Sequence, residues 1–359
     1  MRSGIVQSVH AFAADPTRGM SVLFLLAVFV GGAMTLFALK GEQIKSELDM
    51  HLKSKDSLLI AGNIVLVIAA LSVLLGTFYP LIYDLMGLGT LSVGAPYFNS
   101  MFVPLAFIVF ILMGAGPLIS WKQSKPGQWQ PIICAFVISA LIAGLIIWLT
   151  QVTFELSLLL GFWGASYIIL TICYYIFLHI KQHKAFKRQQ IGMLIAHFGV
   201  AISVIGATCV SHYEEQALLR MGPGQGKPLA GYIFVYDSTV NVTETAFTAI
   251  QANIQVLDEN EQLLTTLTPQ RQTFKTNGME MSQASIDRNL MRDLYVSKGQ
   301  QLSDTEYLIR ISYKPFACFI WLGALWMMFG ALLNILPMPI RQQQKQTSAV
   351  PTPIQERTA

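Results

Sequence analysis

Charge is scarce in this chain. Asp, Glu, Lys and Arg make up 12% of its 359 residues, against roughly 25% in an ordinary soluble domain. That shortage excludes a soluble globular protein. Other absences exclude whole classes of active site. The four cysteines, Cys134, Cys173, Cys209 and Cys318, have no C-x-x-C spacing and lie in or beside apolar runs, so they read as small packing residues rather than thiol catalysts or zinc ligands. No histidine falls in an H-E-x-x-H pattern, and no Ser-His-Asp arrangement or nucleotide fingerprint stands out. GPGQGKP, 222–228, lacks the spacing of a phosphate loop and no helix follows it, so it reads as a Gly/Pro loop. A formal charge of +4 with no basic patch interleaved with aromatics gives no reason to expect a nucleic-acid partner. Residues 1–19 lack the long apolar core of a signal peptide, and none is expected there.

Apolar sequence is abundant, at 53% of the chain. A spanning helix needs about 20 apolar residues, and seven such runs occur, near 20–39, 57–79, 102–120, 131–150, 157–179, 191–210 and 315–336. The fold class expected is a polytopic α-helical membrane protein of about seven transmembrane helices. Lys and Arg set its orientation. They collect in the loops after the first, third and fifth runs (Lys45, Lys53 and Lys55; Lys122 and Lys125; Lys181, Lys184, Lys187 and Arg188), while 80–101 and 151–156 have none. The N-terminus is therefore expected outside and the tail inside, with Arg2 and Arg18 the mild dissent. Residues 211–310 carry strand-like alternation, in GYIFVYDSTVNV, FTAIQANIQVL and a final YLIRISY at 307–313. The expected organisation is an interfacial segment 1–19, six helices over 20–210, a small β-rich outer domain 211–310, a seventh helix over 311–337 and an inner tail 338–359.

Within the sixth run, GMLIAHFGVA (192–201) places His197 where hydrocarbon should be. An ionisable residue in a membrane helix is a functional hypothesis by default. Gly192, Ala196, Gly199 and Ala201 around it would admit a neighbouring helix or a flat cofactor. Chemistry alone leaves two readings open: a histidine bonded to a neighbouring helix, or a ligand such as those that hold haem iron. His10 lies outside, in an interfacial segment that Asp15-Pro16 breaks. His51, His179, His183 and His212 lie in or beside loops, with His179 and His183 expected to face lipid headgroups.

Several blocks resemble a known family, in order along the chain. RSGIVQSVHAFAADPTRG (2–19), LLGTFYPL (74–81), SVGAPYFN (92–99), GMLIAHFGVA, PQRQTF (269–274), MEMSQASID (279–287), RDLYVSKG (292–299) and KPFACFIWLGAL (314–325) are similar to the C-terminal half of the CcmF/NrfE haem lyase family of cytochrome c maturation. The resemblance implies a bacterial inner-membrane protein with its N-terminus and residues 211–310 in the periplasm. It implies two haems. A b-type haem inside the membrane would be held by a histidine pair whose second member matches His197. A transient periplasmic haem would lie beneath a Trp-rich loop, between histidines of which His10 matches the second. The implied partners are an N-terminal half carrying the Trp-rich motif, a haem chaperone, apocytochrome c and thiol-handling maturation subunits.

The departures matter as much. The six tryptophans are scattered and form no W-W-D cluster, and no partner histidine of either pair is present. PQRQTF lacks the tyrosine often found beside its arginine. The sequence is therefore expected to be one product of a split gene or a fragment, unable alone to hold either haem between two histidines. Against a haem-handling lyase component stand two alternatives: a haem transporter, for which no internal repeat is evident, and a scaffold that docks apocytochrome without chemistry of its own.

Overall fold

The computed structural model describes residues 16–43, 51–89, 91–122, 124–125, 127–276 and 278–335. Seven α-helices occur among them: α1 (Pro16–Lys40), α2 (Lys55–Leu85), α3 (Ala95–Ala115), α4 (Trp129–Thr150), α5 (Leu156–Lys181), α6 (Arg188–Tyr213) and α7 (Ala317–Ile335). Helices α2 to α7 each contain a stretch long and apolar enough to cross a membrane; the apolar stretch described in α1 is the shorter Phe24–Lys40. Large apolar side chains such as Leu66, Leu141, Trp148 and Trp321 stand exposed. Such a surface is stable against lipid, not water. The protein is thus a polytopic membrane protein with a β-domain before its last helix.

The chain forms two compact units, residues up to 142 with 155–167, and 143–154 with 168 onward. In the first, α2 begins at Ser54, whose hydroxyl accepts from the Ser57 amide at 3.2 Å, a normal N-cap. Helices α2 and α3 meet at Gly76, where any Cβ would stand 2.9 Å from a Phe98 ring carbon. The Tyr97 hydroxyl donates to Ser72 O at 3.1 Å. The Trp163 indole N–H donates to Phe136 O at 2.9 Å, tying α5 to α4.

In the second unit α6 and α7 are joined by a glycine ladder. Gly192, Gly199 and Gly206 repeat every seven residues on α6, and Gly323 and Gly330 do so on α7. A Cβ on Gly192 would lie 2.7 Å from Gly330 O, and one on Gly199 2.6 Å from Gly323 O. Only glycine permits that approach, and packing of this kind holds membrane helices together without a hydrophobic driving force. Ser203 adds a hydrogen bond across the seam, donating to Ile320 O at 3.1 Å.

Between these helices lies a β-sandwich. One sheet has the order β1-β10-β9-β8, and the other β2-β3-β4-β6-β7 with β5 also on β4. The strands are β1 (Glu215–Met221), β2 (Gly226–Leu229), β3 (Tyr232–Thr243), β4 (Phe247–Leu257), β5 (Leu263–Leu267), β6 (Gln270–Phe274), β7 (Glu280–Gln283), β8 (Ser285–Arg288), β9 (Arg292–Gln301) and β10 (Tyr307–Pro315). All pairings are antiparallel. Alternate residues of facing strands, Phe234, Ile254, Leu294, Val296, Ile309 and Ile311 among them, are fully buried in the core, as period-2 patterning requires. The expected final strand into the last helix is β10, which ends one residue before α7. The Gly/Pro loop is shorter than expected: Gly226, Lys227 and Pro228 pair with β3 as an edge strand, where a proline lacking its N–H is tolerated.

Candidate functional site

His197 lies midway along α6. Five residues on from Gly192 and two before Gly199, it sits about 140–160° around the helix from the α7 seam, at roughly 100° per residue. The small residues flanking it therefore serve helix packing: Gly192, Gly199 and Ala201 are buried, and the two glycines face α7. The opposite face carries the imidazole, which is half-buried.

One contact fixes the chemistry of that ring. His197 Nδ1 lies 2.8 Å from Met193 O, one turn back on the same helix. A carbonyl oxygen only accepts, so Nδ1 carries the proton and Nε2 keeps its lone pair. This is the arrangement found in metal-ligating histidines, whose second nitrogen is held by a backbone carbonyl. Among the described residues Nε2 has no hydrogen-bond partner. The ring thus fits an iron or another electrophile that approaches from the side of α6 away from α7. The contact made is to its own helix, not to a neighbouring one as the structural alternative supposed.

The other histidines differ. His10 lies outside the described residues. The His179 ring stacks on Phe186 at 4.7 Å and tilts against Tyr175 at 4.3 Å. Its Nε2 lies 3.3 Å from Gln190 Nε2, and the same amide donates to the Tyr175 hydroxyl at 2.7 Å. His183 has φ of 50° just past the end of α5, a C-terminal cap conformation. Among the described residues no group of three or more His, Cys, Asp and Glu could hold a metal ion, and the cysteines sit singly on four different helices.

The sandwich holds two polar groups that the sequence reading passed over. Lys298 is completely buried, its Nζ lacks a hydrogen-bond partner, and it lies 3.5 Å from the centre of the Tyr307 ring. Burial pushes its pKa down to about 8. Arg292 is nearly as buried. It pairs with Asp287, lies 5.0 Å over Tyr232 and donates to that hydroxyl at 3.3 Å. Strand alternation was the available signal, since RDLYVSKG puts Arg292 and Lys298 on the same face as Leu294 and Val296.

These features define a class: a helical membrane protein with a β-sandwich before its last helix and, in its sixth helix, a histidine whose Nδ1 is held by a backbone carbonyl. Sequence comparison gives the relatives. Residues 212–315 match the family model described as the CcmF C-terminal beta-sandwich. The chain is 35% identical to the cytochrome c-type biogenesis protein CcmF of Pseudomonas fluorescens, over 96% of its own length and 53% of that protein's. It is 34% identical to the cytochrome c-type biogenesis protein NrfE of Haemophilus influenzae, over 96% and 54%. A solved structure titled Cytochrome c Heme Lyase CcmF shares the fold, with a TM-score of 0.68 at 20% identity over 91% of this chain and 51% of that one. By sequence the chain is a relative of the CcmF/NrfE proteins along nearly its whole length. It spans about half the length of the curated relatives it matches.

Proposed function

We propose that this chain is one part of a machine that attaches haem covalently to apocytochrome c, and that His197 would hold the iron of a b-type haem within the membrane through its Nε2. The observation that carries the reading is the Nδ1 contact to Met193 O, which leaves Nε2 as a neutral donor. Haem would supply the vinyl groups that become thioethers with the cysteines of a C-x-x-C-H segment, and an iron centre that exchanges electrons. This chain's residues do simpler things. Met193 O holds the ring in one tautomer. The α6–α7 glycine ladder holds the helix that carries it. His10 is the proposed ligand to a second, transient haem on the sandwich's side of the membrane.

A histidine pair needs a second member, and here it would come from a partner resembling the remainder of the longer relatives, with a Trp-rich loop. A haem chaperone, apocytochrome c and thiol-handling subunits complete the proposed set. The membrane is the bacterial inner membrane, with the N-terminus and residues 211–310 in the periplasm; the lysines of alternate loops support that orientation. The NrfE relative favours a second reading, in which the apoprotein served belongs to a nitrite reductase.

The test is co-expression. The chain with its proposed partner and a reporter apocytochrome is expected to yield covalent haem on a stained denaturing gel, and neither polypeptide alone is. Haem delivered across the membrane with no covalent product would replace this reading by the transporter.

A further inference from the structure

The hairpin joining β8 to β9 has an unexpected tip. The connection is the three residues 289–291, and such turns in water normally use Gly, Asn, Asp or Ser throughout; in this one Asn289 is followed by two apolar residues. Here the tip is Leu290–Met291, with exposures of 52% and 56%. The turn is firmly built. Asn289 Oδ1 accepts from the Met291 amide at 2.8 Å and the Arg292 amide at 2.7 Å, and Asn289 N donates to Arg292 O at 3.0 Å. The backbone of the tip is therefore fixed, and both apolar side chains on it are exposed.

The tip also has a fixed height. Met291 O accepts from Phe316 N at 2.7 Å, and α7 starts at Ala317. The hairpin therefore reaches the level at which the last membrane helix begins. Around it lie groups suited to a lipid boundary. Tyr232 and Tyr313 stack at 6.0 Å. The cations pair with neighbouring carboxylates, Arg292 with Asp287, Arg288 with Asp293 at 3.9 Å and Lys314 with Glu214 at 3.5 Å. Tyrosines at headgroup level with apolar side chains beneath them are the normal furniture of a membrane interface.

We propose that Leu290 and Met291 dip into the headgroup–acyl boundary on the sandwich's side of the membrane and seat the β-domain on the bilayer surface. With α6 and α7 as the other tethers, this third point fixes the tilt of the sandwich. The occupant is lipid, because the tip is level with the start of a membrane span.

The test is nitroxide accessibility in phosphatidylethanolamine/phosphatidylglycerol vesicles, on the full chain with its four cysteines replaced by serine. Leu290→Cys and Met291→Cys carry the label one at a time. Asp304→Cys is the control, in the β9–β10 connection at the far end of β9, whose length at roughly 3.3 Å per residue puts it about 30 Å away. Labels at 290 and 291 are expected to collide with oxygen in preference to a polar nickel chelate, and the label at 304 the reverse. Equal chelate access at all three positions would overturn the proposal, as would screening of 290 and 291 from both reagents, which means a protein covers the tip. A second readout keeps the native cysteines. A protease added outside vesicles should cut at the tip only after Leu290→Asp with Met291→Asp, and cutting of the parent chain there at the same rate overturns the proposal as well. Neither measurement involves haem.

Discussion

Lys298 is a costly residue in the sandwich core. Its ammonium loses water and gains only the Tyr307 ring. The ordinary amine value of 10.5 applies in the unfolded chain, and the folded value is about 8. Below pH 8 both states hold the proton and the burial penalty is at its full size. Between pH 8 and 10.5 only the unfolded state holds it, so stability rises with pH. Lys298→Met is therefore expected to stabilise the domain at pH 7 by up to about 3 kcal/mol, with the gain shrinking toward pH 10.5. Thermal unfolding of the two chains across that range checks it, and a gain independent of pH contradicts it. Residue-scale legibility was uneven. His197 was visible in the sequence because a histidine in an apolar run stands out. Its tautomer was not, because the group that sets it is a backbone carbonyl, which every residue has. Lys298 was hidden for another reason: lysine in a strand reads as solvent-facing until the opposite sheet is known to cover it.

At the scale of elements, the α6–α7 ladder makes the sharpest demand. A side chain at Gly199 meets backbone, which cannot rotate away. Gly199→Leu is expected to cost about 1–3 kcal/mol by overpacking and to lower the melting temperature in detergent by several degrees. Gly144→Leu, on α4 with nothing within 4 Å of its Cβ position, is the matched control and should change little. Equal effects at the two sites would mean that the ladder does not hold the helices together. Half of this pattern was legible. Small residues beside His197 suggested a close neighbour, and they left open whether it was a helix or a cofactor. The answer lay in α7, where Gly323 and Gly330 repeat with the same seven-residue period. A match between two periods 131 residues apart becomes a contact only when the chain is folded. Strands β3, β4 and β10 were legible as alternation, whereas β2 reads as a Gly/Pro loop, and the sheet order, with β1 beside β10, is a long-range pairing that local pattern does not encode.

The whole molecule was the most legible level, because membrane insertion follows crude composition. Apolar runs marked the six helices, α2 to α7, that are long and apolar enough to cross a membrane, while the first run appears among the described residues as the shorter apolar stretch Phe24–Lys40. Lysines in alternate loops carry the proposed orientation. That orientation predicts opposite labelling in intact spheroplasts: Asn260→Cys in the sandwich reacts with a membrane-impermeant maleimide, and Lys125→Cys reacts only after permeabilisation. The reverse pattern would invert the topology. The central proposal belongs to this scale as well: His197 as a ligand to haem iron, in a chain that spans about half the length of the curated relatives it matches. The most direct test is the reduced absorption spectrum and pyridine haemochrome of the purified pair, the chain with its co-expressed partner, alongside His197→Ala. The expected result is a b-type haem signal in the pair that falls at least tenfold in the variant, while the variant still folds and binds its partner. A pair without that signal, or a variant that keeps it undiminished, would contradict His197 as an iron ligand.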